Sequence, residues 1–113
     1  MSELYDVGAE RAVLSALFQH DIDAWVRVAE LITVDSFGDS NNQILFKCIN
    51  TIIKNDQKAD LPAILSSAKQ LGVEEHIATD QELGYMKSLF DFPINLENIT
   101  SFAIQMKKFE FAR

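Results

Sequence analysis

The stretch from Ser40 to Asn55 constrains the fold most, because its apolar residues cover much of the circumference of a helix. Ile44, Leu45, Phe46, Cys48, Ile49, Ile52 and Ile53 recur at three- and four-residue spacings, which sets them on one wide face. A face that broad has to be covered from several sides. Asp39 and Ser40 offer side-chain oxygens to the first free amides, and Asn55-Asp56 supplies polar residues that end the helix. The other helices are therefore expected to pack around this one.

The remainder of the chain agrees with an all-α class. With only 4 Gly and 2 Pro in 113 residues, long stretches can run as helix, and no alternating apolar and polar segment is long enough to form a sheet. That length suits one domain with a single core, independent of disulfides or metal. The formal charge of −7 opposes a nucleic-acid duplex or an anionic membrane on average, so neither is expected as a direct partner. The start, Met-Ser-Glu-Leu, lacks the basic region and apolar run of a signal peptide, and no apolar run approaches a membrane span. A cytoplasmic location is the expectation.

Asp6 is placed to cap a helix that runs to about Gln19 with Ala9, Ala12, Val13, Ala16 and Leu17 inward, while Glu3, Glu10 and Arg11 stay wet. Asp21 or Asp23 starts a second helix with Trp25, Val28, Leu31 and Ile32 facing the core and Arg27 and Glu30 facing out. Thr33 to Phe37 reads as one short turn, with Phe37 as an apolar plug. After the central helix, Asp60 caps a helix with Pro62 in its first turn, an inner stripe of Ile64, Leu65, Ala68 and Leu71, and Gly72 as a left-handed stop. Val73 to Ala78 reads as a turn. Thr79-Asp80-Gln81-Glu82 reads as a capping box ahead of Leu83, Tyr85, Met86, Leu89 and Phe90. Pro93 stops that helix, and Asn95 caps the last one. The core is expected to hold Val13, Leu17, Trp25, Phe37, Leu45, Phe46, Ile49, Leu65 and Leu89.

The last helix has more apolar surface than one neighbour needs. Leu96, Ile99, Phe102, Ala103, Met106 and Phe109 form one stripe, whereas Ile104 and Phe111 point elsewhere. It also reaches Arg113 without a stop signal, as expected of a piece of something longer or of a helix that docks on another subunit.

No catalytic, metal or cofactor site is assigned. A Gly-rich phosphate loop, HExxH and GxSxG are all absent, and His20 and His76 are isolated and read as surface residues. The carboxylates sit at helix starts and on wet faces, where they cap and solubilise. Cys48, the single cysteine, reads as a small core hydrophobe.

In order and spacing the chain resembles the N-terminal domain of the DnaB-type replicative DNA helicases. Residues Gly8-Ala9-Glu10-Arg11-Ala12-Val13-Leu14-Ser15-Ala16-Leu17 resemble that family's EAE-x-AVLG-A-L, with Ser15 where glycine is usual. Asp35-Ser36-Phe37 and Asn42-Gln43-Ile44-Leu45-Phe46 resemble its acidic-Phe and HR/HQ-x-I-F segments, with Asn42 where histidine is usual. Lys58 to Ile64, without the family's proline before the aspartate, Leu71-Gly72 and Gly84 to Leu89 echo shorter elements. Pro93, Asn98, Ile99, Phe102, Ala103, Met106 and Arg113 then fall in step with its closing segment, with one extra residue after Pro93.

The resemblance implies a compact multi-helix bundle, with residues 1–92 as a head and 93–113 as the start of an assembly helix leading toward a helical hairpin. It implies a non-catalytic role in a hexamer collar, with other copies of the domain, a DnaG-type primase or a helicase loader as partners. ATP and magnesium would belong to an ATPase domain outside this chain, and the setting would be the cytoplasm of a bacterium or of a phage's host. On this reading Ile99, Phe102, Ala103, Met106 and Phe109, with Lys107 and Lys108 beside them, are the expected contact surface. The competing assignment for Ile99 and Phe102 is intramolecular core. Two other classes compete: the helicase-binding C-terminal domain of a primase, and a helix-turn-helix DNA-binding module, which would need a basic recognition helix.

Overall fold

Side-chain caps start four helices in the computed structural model, which describes residues 5–113. Asp6 Oδ1 accepts from the Ala9 amide at 3.0 Å and opens α1 (Val7–His20). Asp39 does the same for the Asn42 amide at 3.0 Å, opening α3 (Ser40–Lys54). Asp60 accepts from Ala63 at 2.9 Å at the head of α4 (Leu61–Leu71). Thr79 accepts from Glu82 at 3.2 Å at the head of α6 (Asp80–Asp91). Each bond satisfies an amide that has no partner inside its own helix. Between these lie α2 (Ile22–Val28), a 3-10 turn at Val34–Ser36 and the one-turn α5 (Glu74–Ile77). A second 3-10 turn, Leu96–Asn98, leads into α7 (Ile99–Ala112). Among the described residues there is no strand, and no helix is long and apolar enough to cross a membrane.

Two helices share the centre. On α3, Leu45, Phe46, Cys48, Ile49, Ile52 and Ile53 are buried, under α1, α4 and the 3-10 turn before it. α1 is flanked by α2, α3, α6 and α7, because Ala9 and Ala16 let neighbours come close to its backbone. Val13, Leu17, Phe37, Leu45, Phe46, Ile49 and Leu89 are buried. Trp25 and Leu65 lie half-buried at the core edge, where the Trp25 indole N–H donates to Asn50 at 2.8 Å.

Several local expectations change. Leu71 is exposed, and the inner edge of α4 is formed by Ile64, Ser67 and Ala68, because the left-handed Gly72 (φ 75°) ends the helix just after Leu71. Val73 to Ala78 is no plain turn: α5 forms there and buries Ile77. Glu82 accepts from Asn41 Nδ2 at 2.7 Å, which leaves only the Thr79 half of the expected capping box. Asp21 caps nothing with its side chain; it turns sharply (φ 48°) and accepts from the Ala59 amide at 2.9 Å, tying the α1–α2 corner to the link before α4. Asn95 caps the 3-10 turn ahead of α7, and His20 is half-buried, with Nε2 3.3 Å from the Ile94 carbonyl. The expectation for Glu3 lies outside the described residues.

Gly38 is a point of close approach. A Cβ built there would lie 2.3 Å from Tyr5 Cβ and 2.4 Å from its Cγ, so no side chain fits unless Tyr5 moves. Gly38→Ala is expected to destabilise the fold by about 1–3 kcal/mol through this overlap. Urea unfolding of Gly38→Ala alone and combined with Tyr5→Gly checks it: the loss should be smaller when the Tyr5 side chain, Cβ included, is already gone.

Candidate functional site

α7 presents two faces with different fates. Its inner edge lies along α1 and α2, and Ile99, Ala103 and Met106 are 0 %, 0 % and 1 % exposed. These three residues of the expected contact surface are corrected to intramolecular core. The spacing of the stripe is that of a packed helix face, and small side chains on α1 let that face close down on its own chain. Phe102, Lys107 and Phe109 are half-buried, and Lys108 is exposed.

The outer edge carries Ile104, 46 % exposed, and Phe111, 80 % exposed. They are seven residues apart with Lys108 between them, which places all three on one side of the helix. Lys107 Nζ lies 5.5 Å from the centre of the Phe111 ring and 3.4 Å from Glu110 Oε1. The end of α7 is tied down from below, as Ser36 Oγ donates to Glu110 Oε1 at 2.7 Å and Arg113 donates to the Asp35 carbonyl at 2.7 Å. The Ser36 hydroxyl, helped by Lys107 and Arg113, holds the Glu110 carboxyl below the ordinary carboxylate range. Ile104 and Phe111 therefore stand on a fixed support.

A buried acid orders the loop that follows the Val34–Ser36 turn. Glu10, expected to be wet, is 0 % exposed. Its carboxylate accepts from the Gly38 amide at 2.7 Å, the Asp39 amide at 3.4 Å and Asn42 Nδ2 at 3.0 Å. Asn42 Oδ1 in turn accepts from the Tyr85 hydroxyl at 2.7 Å, so one chain of bonds joins α1, the loop before α3, α3 and α6. Burial pushes the Glu10 carboxyl up and the Tyr85 phenol up to about 12. Asn42, the departure from the family pattern, lies at the middle of this chain. Periodicity could have found Glu10, since positions 10, 13, 14 and 17 share one helix face with Val13, Leu14 and Leu17.

No catalytic constellation emerges from these contacts. Among the described residues no group of three or more His, Cys, Asp or Glu side chains is placed to hold a metal ion. Cys48 is buried, and that burial pushes its thiol up, away from a reactive thiolate. His20 and His76 lie on different elements, His20 Nε2 against the Ile94 carbonyl and His76 Nε2 3.8 Å from Glu75 Oε1.

Residues 2–108 match the family model described as the DnaB-like helicase N terminal domain. Among solved structures the chain is similar to the crystal structure of the N-terminal domain of DnaB helicase from Mycobacterium tuberculosis. The two are 19% identical, over 99% of this chain and 77% of that one, with a TM-score of 0.85, a likeness of fold. A comparison with curated proteins finds no match.

Proposed function

The chain belongs to the family of DnaB-like helicase N-terminal domains, and on that premise we propose that it is the assembly and partner-docking domain of a replicative DnaB-type helicase. In this role it performs no bond chemistry, contributes to a hexamer collar with other copies of the domain, and receives a DnaG-type primase or a helicase loader. The observation that carries the reading is the outer edge of α7, where Ile104 and Phe111 remain uncovered beside Lys108. Apolar side chains grouped this way on an otherwise well-packed helix mark a contact surface. Lys108 gives that edge a positive charge within a chain of net charge −7, Lys107 being paired with Glu110, and this favours an acidic partner or an acidic patch on a second copy.

Changing Ile104 and Phe111 together to aspartate tests this. Both are solvent-facing, so thermal stability should move by no more than about 1 kcal/mol. Self-association in sedimentation velocity, or capture of a purified DnaG-type primase, should be lost. If both persist with unchanged affinity, the surface is rejected. Met106→Asp would instead test folding, because Met106 is 1 % exposed.

A further inference from the structure

A hollow of about 710 Å³ lies between the end of α3 and α4, and Thr51, Asn55, Gln57, Ser66, Ser67 and Gln70 make its lining mostly polar. Two smaller hollows adjoin it across the link before α4. One of about 200 Å³ shares Lys58 and Asp60 with it, and one of about 330 Å³ shares Asp60 and Phe90 with the second. Together they form one long cleft over residues 58–60, a shape that suits an extended chain better than a compact small molecule.

The backbone of this cleft is locked while its side chains are left free. Asp56 takes a left-handed φ of 59°, which turns the chain so that the Gln57 amide donates to the Ile52 carbonyl at 3.0 Å. The Asp60 amide donates to the Lys58 carbonyl at 2.9 Å, and Asp21 holds the Ala59 amide. The side chains of Asn55, Gln57, Lys58 and Gln70, by contrast, have no partner among the described residues. Ser67, in the floor, is 6 % exposed, and its Oγ is buried without a hydrogen-bond partner; the Cys48 thiol next to it is only a weak donor. A fixed backbone that holds out free polar side chains is preorganised for binding. Carboxamides carry a donor and an acceptor together, as a peptide unit does, so Asn55, Gln57 and Gln70 match a main chain in both roles. Beyond the link, Asp60 and Asp91 outnumber Lys87 around Phe90, which suits a basic side chain. A polyanion is disfavoured by the overall charge of −7.

We propose that this cleft binds an extended peptide segment of a partner protein, its main-chain amides and carbonyls paired with Asn55, Gln57 and Gln70 and its basic side chain set between Asp60 and Asp91 beside Phe90. A carbonyl of the same segment accepts from the Ser67 hydroxyl. The cleft shares no residue with the outer edge of α7, so it stands or falls independently of the assembly surface.

The probes are fluorescein-labelled octapeptides of alanine, serine and leucine in varied order, each with one arginine. Fully extended, such a peptide spans roughly 26 Å, close to the 23 Å short axis of the molecule. Fluorescence anisotropy with the whole chain should show saturable binding by members of this set. Gln57 and Gln70 are exposed, so changing both to alanine should leave the fold intact and weaken binding about tenfold. Asp60→Asn keeps the cap of α4 and should weaken it about fivefold. Glutamine in place of the probe's arginine should do the same, and the two charge changes together should cost no more than either alone. Ser67→Ala should lower affinity while raising the thermal midpoint of the free chain, because it removes an unpaired buried hydroxyl. Ile104→Asp with Phe111→Asp should leave the probe bound. Failure of every octapeptide to bind, binding that ignores the cleft variants, or additive losses from the paired charge changes overturns the proposal. So does displacement of the probe by single-stranded oligothymidylate, which would assign the cleft to nucleic acid.

Discussion

Phe46→Ala is expected to lower the unfolding free energy by about 3–5 kcal/mol, a large share of what holds a small domain together. Phe46 is 2 % exposed on α3, and its ring centre lies 4.9 Å from that of Phe37, tilted by 42°. Phe37 itself is 0 % exposed and precedes the loop whose amides bind Glu10, so the cavity left by Phe46 would open directly under that loop. The surroundings cannot collapse into the space cheaply, since Leu45 and Ile49 on the same helix are already fully buried. Urea unfolding should show a lower midpoint with an unchanged slope. Lys47→Ala, one position along and exposed, should change stability by no more than about 0.5 kcal/mol. A Phe46→Ala loss as small as the Lys47→Ala loss would show that α3 does not anchor the core.

The features legible in the sequence were those decided within one or two turns. Asp6, Asp39, Asp60 and Thr79 each cap an amide three residues ahead, and Gly72 takes the left-handed stop its position suggests. The apolar face of α3 was visible for the same reason, since helical spacing is a local property. What sequence could not decide was which body covers a face. The stripe Ile99, Ala103 and Met106 has the same periodicity whether it meets its own α1 or another subunit, and only the packing of α1 against α7 assigns it to the core. Ile104 and Phe111, which fell outside the stripe, are the large apolar residues of α7 left exposed. Glu82 followed the same logic in miniature: its capping-box spacing was local, but Asn41 on α3 captured its carboxylate. Glu10 was misplaced because charge alone was weighed and the three donors it meets lie 28, 29 and 32 residues away.

Those donors make Glu10 the second site where a single change should be costly. Glu10→Ala leaves the Gly38 and Asp39 amides and Asn42 Nδ2 without their acceptor, and a destabilisation of about 3–5 kcal/mol is expected, since hydrogen bonds to a buried charge are the strong ones. Glu10→Gln should cost less, about 1–2 kcal/mol. Its carbonyl can still accept from Gly38, and if the Asn42 amide turns over, its oxygen meets the new NH2 while its own NH2 points at Tyr85, whose hydroxyl accepts instead of donating. Tyr85→Phe removes that acceptor, so adding it to Glu10→Gln should cost more than the sum of the two single changes. The pH dependence separates charge from shape. Burial raises the folded carboxyl above its ordinary value of 4.5, so below that value both folded and unfolded forms hold the proton. As pH rises through 4.5 the unfolded chain releases its proton first, and the Glu10 contribution falls until the folded group ionises too. Wild type should therefore lose stability relative to Glu10→Gln between acid and neutral pH. An unchanged gap between the two unfolding midpoints across that range would mean that Glu10 titrates alike in both states and that its burial carries no electrostatic cost.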